Sequence, residues 1–225
     1  MTILKARPKT GEPAADKILR YRPGQRYVHL LLAGSFMVLL VTGLALVWSP
    51  LSFLAEGGLS RTIHRIAAVG FMLVPVGYLI VDRRGASELI RESFHFDKDD
   101  RRWLGRMYRY STGHALRMPP QGRLNAGQKL HHAAVMMLSA GVVGSGLVLW
   151  LWKSALGAAS LAWAAVIHDV SMTALVLLLI GHLYFTVVYR AISSMHTGYV
   201  PRVDAQIEHS KWVAEVDAAD GTSGS

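Results

Sequence analysis

Four stretches of this chain carry no Asp, Glu, Lys or Arg over lengths that match a lipid bilayer. The first starts at residue 28 and runs past residue 47. The second covers 66–81 and is expected to begin a turn earlier, near Thr62. The third covers 130–152. The fourth covers 170–189, with an apolar lead-in over 160–167. A helix needs roughly 20 apolar residues to cross a bilayer core about 30 Å thick. In lipid each backbone must satisfy its own hydrogen bonds, so each stretch is expected to be helical. Pro75 is expected to kink the second helix, which neighbouring helices tolerate. The expected fold class is all-α, an integral membrane four-helix bundle. A chain of 225 residues that is 52% hydrophobic has room for little else.

The polar segments divide the chain. Residues 1–26 form a basic N-terminal segment. Residues 27–190 form the transmembrane domain, which includes a long basic loop at 83–129. Residues 191–225 form a tail whose last part, 217–225, is small and polar and reads as disordered. The first apolar run is long enough to span, so no cleavable leader is expected. Of 24 Lys and Arg residues, seven lie in 1–27, eleven in 83–129 and three in 190–225. If four spans alternate, all of these fall on one side, and only Arg61, Arg65 and Lys153 fall on the other. The positive-inside rule then places both termini and the long loop on the cytoplasmic side. The formal charge of +9 is therefore a topology signal, and no nucleic-acid partner is expected.

There is no cysteine. This excludes thiolate-bound iron–sulfur clusters, disulfides, Cys zinc sites and covalent haem attachment. Histidine is the remaining strong metal ligand. His29, His64, His131, His132, His168 and His182 lie in or at the edge of the spans, where an ionisable group is costly and points to function. Any one of them has an ordinary alternative as an interfacial or helix-bridging side chain. Their depths carry the argument. His29 and His182 share the cytoplasmic level, and His64 and His168 share the outer level. His168 and His182 are 14 residues apart, close to four turns and about 21 Å along one helix face. Two imidazoles on facing helices at one depth are what a six-coordinate electron-transfer haem needs. His131 and His132 compete with His29 by depth, and periodicity does not remove them.

Smaller signals accompany these. Gly43 follows His29 by 14 residues, and Gly141, Gly144 and Gly146 lie on the third span. Such residues make room for a macrocycle, or for plain helix packing. Arg65 and Lys153 are scarce outer cations suited to haem propionates or to interfacial snorkelling. His95, His114, His196 and His209 are expected to be solvated.

Several strings occur together: Arg-Tyr-Val-His (26–29), Thr-Gly-Leu (42–44), Ile-His-Arg (63–65), Asn-Ala-Gly-Gln-Lys (125–129), His-Asp (168–169), His-Leu-Tyr (182–184) and Ser-Met-His-Thr-Gly-Tyr-Val (194–200). With them the chain resembles, over about 20–213, the gamma or cytochrome b subunit of membrane-bound respiratory formate dehydrogenase. The resemblance implies two haem b groups, with His64 and His168 as axial ligands of the outer one and His29 and His182 of the inner one. It implies that His131 and His132 are not ligands. It also implies a quinone pocket, for menaquinone or ubiquinone, at Asn125, Gly127 and Gln128 beside His182. The ordinary alternative for that string is a turn at a helix start, with Asn125 as N-cap and Lys129 as interfacial anchor. The implied partners are the iron–sulfur (beta) and catalytic (alpha) subunits, with membrane lipid around the chain.

The expected role is transfer of electrons from the iron–sulfur partner across the membrane to quinone, with no formate site on this chain. One departure stands out. The family pattern Trp-Ala-x-x-His-His-x-x-Trp is replaced here by Asp204 to Trp212 without its first Trp and first His, which leaves the packing of the tail open. Rival readings are a cytochrome b subunit of a nickel–iron hydrogenase or thiosulfate reductase, and a haem-free membrane anchor. A proton-conducting transporter would be expected to carry mid-span carboxylates, which these spans lack.

Overall fold

In a computed structural model, residues 17–114, 117–189 and 191–222 are described. Residues 1–16 of the expected N-terminal segment lie outside them. The order of elements is β1 (Lys17–Leu19), α1 (Pro23–Val47), α2 (Leu59–Val81), α3 (Arg83–Phe94), α4 (Lys98–Leu104), α5 (Met107–Ser111), α6 (Ala126–Leu151), α7 (Ala158–Val188), α8 (Ile192–Thr197), β2 (Tyr199–Pro201), α9 (Arg202–Glu208) and α10 (Ser210–Thr222). The chain is all-α apart from one two-stranded ribbon, in which Ile18 pairs with Val200. Four helices are long and apolar enough to cross a membrane. They match the four expected spans, and the chain is a multi-pass membrane protein.

The chain divides into two compact units. One is Arg22–Glu88, and the other joins the residues up to Tyr21 with those from Leu89 onward. In the first, α1 and α2 form an antiparallel hairpin. Thr42 meets His64, and Phe36 meets Phe71 at 6.5 Å, so positions rising along α1 meet positions falling along α2. Gly57 and Gly58 make the turn at φ of 69° and 77°, a left-handed conformation that suits glycine. Helix α2 runs through Pro75 without interruption.

In the second unit α6 and α7 form another antiparallel hairpin: Ser145 meets His168, and His131 meets His182. The expected lead-in at 160–167 and the fourth span are one continuous helix of 31 residues. At 1.5 Å per residue it is about 46 Å long and overreaches the hydrocarbon core.

Both hairpins are built inside out. The buried positions on the spans are mostly small or polar: Thr42, Ala45, Ser60, Ala133, Ser145, Ala164 and Ser171. Large apolar side chains such as Leu31, Ile66, Leu73, Ile80, Leu177, Ile180 and Val187 are exposed. Lipid is as apolar as leucine, so these helices gain by close approach through small residues and turn their bulk outward.

The polar segments fold against the second hairpin's base. Trp103 of α4, Tyr110 of α5 and Ala126 of α6 form one core with Phe185 and Tyr189. Ile18, Val200, Ala205, Trp212 and Val213 form another. Asp217, expected to be disordered, lies in α10 and pairs with Arg202 at 2.6 Å. Residues 217–222 extend a helix that Trp212 and Val213 anchor, which polar composition alone does not reveal. His209, expected to be solvated, is 1% exposed. Its ring packs edge-on against Trp212, and the three residues kept from the expected tail pattern, Ala205, His209 and Trp212, are all buried. His95, His114 and His196 are exposed as expected.

Candidate functional site

Each hairpin holds one imidazole in a defined protonation geometry. In the first, Thr42 Oγ1 donates its single proton to the Val38 carbonyl at 2.7 Å. Its 2.9 Å contact with His64 Nδ1 must then be a bond that the imidazole donates. In the second, His168 Nδ1 lies 3.0 Å from the Val142 carbonyl, which can only accept. Ser145 Oγ donates to the Gly141 carbonyl at 2.7 Å and receives a second, longer contact from His168 at 3.3 Å. In both rings Nδ1 is the nitrogen held by a protein oxygen. This is how metal-ligating histidines are oriented by their outer partners.

The glycines serve these rings. A Cβ at Gly43 would lie 3.5 Å from His64 Cε1, and one at Gly146 would lie 3.2 Å from His168 Cε1. Both glycines therefore abut imidazole edges, and Gly146 leaves His168 its only comfortable seat. Gly141 instead admits Ser171, whose Oγ would lie 2.8 Å from a Cβ there, while nothing lies within 4 Å of one at Gly144. Arg65 and Lys153 are exposed.

His29 lies on α1 with its side chain exposed, in the same unit as His64. His182 lies on α7, half-buried, in the same unit as His168. The ring of His131 stacks on that of His182, with centroids 5.3 Å apart and planes 15° from parallel. His132 is tilted away from His131 at 6.1 Å.

A cavity of about 380 Å³ at the base of the second hairpin brings together His182, Asn125, Gly127 and Gln128. Asn125 is the N-cap of α6. Its Oδ1 accepts from the Gln128 N–H at 2.9 Å, and Gln128 Oε1 accepts from the Asn125 N–H at 3.1 Å, a reciprocal capping box. Asn125 Nδ2 donates to the Tyr110 hydroxyl at 3.4 Å, so this 1% exposed amide is largely spent inside the fold. Gln128 Oε1 also accepts from Arg20 Nη2 at 3.3 Å. Its Nε2 makes no hydrogen bond among the described residues and is the amide donor open to a ligand. Gly127 is needed for packing, because a Cβ there would lie 2.8 Å from the Trp103 ring.

Sequence reasoning missed much of the cavity wall. Tyr110 stacks flat on Tyr189 at 4.2 Å and tilts against Trp103 at 4.8 Å. The Tyr189 hydroxyl donates to the Tyr110 carbonyl at 2.6 Å. Burial, and then the charge of Glu208, push the Tyr110 hydroxyl well above its usual range, so it stays a donor. Burial, and then the charge of Arg20, hold His209 well below the usual imidazole value, so it stays neutral. These residues come from distant parts of the chain, and only the surviving His and Trp of the tail pattern pointed to any of them. Lys129 is more than an interfacial anchor: it pairs with Asp100 at 2.7 Å and donates to the His95 carbonyl at 3.2 Å.

Apolar helices that hold imidazoles by Nδ1 to their own oxygens, on a chain without cysteine, suit noncovalent ligation of haem in a membrane. The chain belongs to the prokaryotic cytochrome b561 family, whose sequence profile matches residues 20–198. It is a b-type membrane electron-transfer subunit. It is 24% identical over 208 residues to the formate dehydrogenase cytochrome b556(fdo) subunit of Escherichia coli strain K12, covering 89% of this chain and 94% of that protein. The same subunit from E. coli O157:H7 matches to the same extent. The resemblance read from the sequence is thereby borne out.

Proposed function

We propose that the chain is the diheme cytochrome b subunit of a formate dehydrogenase and passes electrons from an iron–sulfur subunit to a quinone. In this reading His64 and His168 hold the outer haem, and His29 and His182 hold the inner one. Bound haem supplies reversible one-electron transfer at an iron with no open position. Thr42 would orient the His64 ring, and Ser145 with the Val142 carbonyl the His168 ring. The 27–190 domain sits in the bacterial inner membrane with 1–26, 83–129 and 191–225 on the cytoplasmic side, as the Lys and Arg bias implies.

The observation that carries the quinone reading is the cavity that His182 shares with the 125–128 turn. A quinone there would stand beside an inner-haem ligand. Its carbonyl would meet the Gln128 amide, with Asn125 and Gly127 holding the turn in shape. Tyr110, Trp103 and Phe185 supply flat apolar walls for a ring. Menaquinone and ubiquinone both satisfy that chemistry. The test is re-oxidation of the dithionite-reduced protein by short-chain analogues of each. Gln128→Ala should slow re-oxidation and weaken analogue binding while leaving the haem spectrum unchanged. Equal rates in Gln128→Ala and the parent protein would remove the assignment. Co-purification of an iron–sulfur subunit and a formate-oxidising subunit tests the partners, and recovery of a hydrogenase instead would replace the donor.

A further inference from the structure

One wall of the cavity carries polar groups that neither haem ligation nor helix capping uses. The Tyr110 hydroxyl donates to Glu208 Oε2 at 3.2 Å. His209 Nδ1 donates to the Gly122 carbonyl at 2.8 Å, so its Nε2 carries the lone pair. That Nε2 is buried, has no hydrogen-bond partner among the described residues, and lies 4.0 Å from Glu208 Oε2. One carboxyl oxygen of Glu208 thus holds the Tyr110 hydroxyl and faces the His209 ring. Glu208 keeps 18% of its side chain exposed, so it touches water while lining the cavity that contains His182 and Gln128. Among the described residues, the titratable groups around it include Tyr110 from α5, Tyr189 at the end of α7, Asp204 on α9, the adjoining His209, and Arg20 beyond β1.

We propose that Glu208 is the proton donor of the quinone site, taking protons up from cytoplasmic water and passing them into the cavity, with Tyr110 and His209 as positioning residues that hold its carboxyl at the cavity wall. This rests on the quinone reading of the cavity. Reduction adds two electrons to the quinone and one proton to each of its two carbonyl oxygens. The electrons are those the chain transfers. Each proton leaves the Glu208 O–H, forms a quinol O–H, and is replaced on the carboxylate from water.

The experiment uses the full haem-loaded chain in lipid nanodiscs. The quinone is a short-chain menaquinone analogue, and the readouts are its binding, the rate of haem re-oxidation against pH, and the carboxyl infrared band on reduction. Glu208→Gln should lower the re-oxidation rate by about a hundredfold. It should also flatten the pH profile and remove a protonated-carboxyl band, with analogue binding and haem spectra unchanged. Glu208→Asp should restore much of the rate. Tyr110→Phe should keep binding and displace the pH profile. If the parent protein binds the analogue and Glu208→Gln matches its rate, profile and infrared band, the relay is wrong and the quinone site stands. If Glu208→Gln loses analogue binding in step with rate, Glu208 shapes the cavity and the relay is again wrong. If the parent protein neither binds the analogue nor is re-oxidised by it, the quinone reading falls and the relay with it.

Discussion

Thr42 and Ser145 are ordinary polar residues by sequence, yet each shares an imidazole proton inside an apolar helix pair. Thr42→Val keeps the shape of the side chain and removes the acceptor, leaving His64 Nδ1–H unsatisfied in the membrane. Loss of such an outer partner typically weakens metal affinity about 10–100-fold. Thr42→Val should therefore speed haem loss to apomyoglobin by a similar factor, while Thr42→Ser should match the parent protein. Gly127→Ala should fail for a different reason. Its Cβ meets the Trp103 ring at 2.8 Å, and overpacking of this kind costs about 1–3 kcal/mol, visible as a lower thermal midpoint in detergent. The histidines and the Asn-Ala-Gly-Gln string were legible because their residue types are costly or unusual where they occur. Tyr110, Glu208 and His209 were not, since their meaning comes from partners up to 98 positions away.

Among the elements, the four spans follow directly from the absence of charge, and the cap of α6 at Asn125 is written in its own string. What hydropathy does not show is how the polar elements dock on one another. Ion pairs of two lysines, Lys129 and Lys211, contribute to this. Lys129 on α6 meets Asp100 on α4, with side chains only 12% and 2% exposed. Removing one partner of a buried pair strands the other charge, so Lys129→Ala should destabilise the protein by about 3 kcal/mol, measurable by thermal unfolding. Lys211 on α10 meets Asp97 and Asp99 at 2.7 Å each. Its hydrogen bond holds the Asp97 carboxyl at about 2, against the opposing effect of burial. The native form thus binds this proton less readily than the unfolded chain. The contribution of the bridge is complete above the ordinary aspartate value of about 3.9 and is lost as pH falls through about 2. Amide exchange in α10 should accelerate across that acid window in the parent protein, and Lys211→Met should show fast exchange already at neutral pH.

For the whole molecule, charge sets orientation and imidazoles set chemistry. Because 21 of 24 basic residues fall on one side of four alternating spans, reporter fusions at residue 225 and within 83–129 should both read as cytoplasmic, and a fusion at 153–157 should read as external. The reverse pattern would move the His29 and His182 level to the other leaflet. The outer and inner levels are joined by α7, an unbroken helix that carries His168 and His182 about 21 Å apart. In the proposed reading, that separation would let two haems share one thin protein. The measurement that bears most directly on the account is a pyridine haemochrome count per chain, taken with reduced-minus-oxidised spectra, on the parent protein and on His168→Ala. Two haem b per chain, falling to one in His168→Ala with the other band intact, is the expected result. A chain that binds no haem, or a His168→Ala variant that retains two with unchanged spectra, would contradict it.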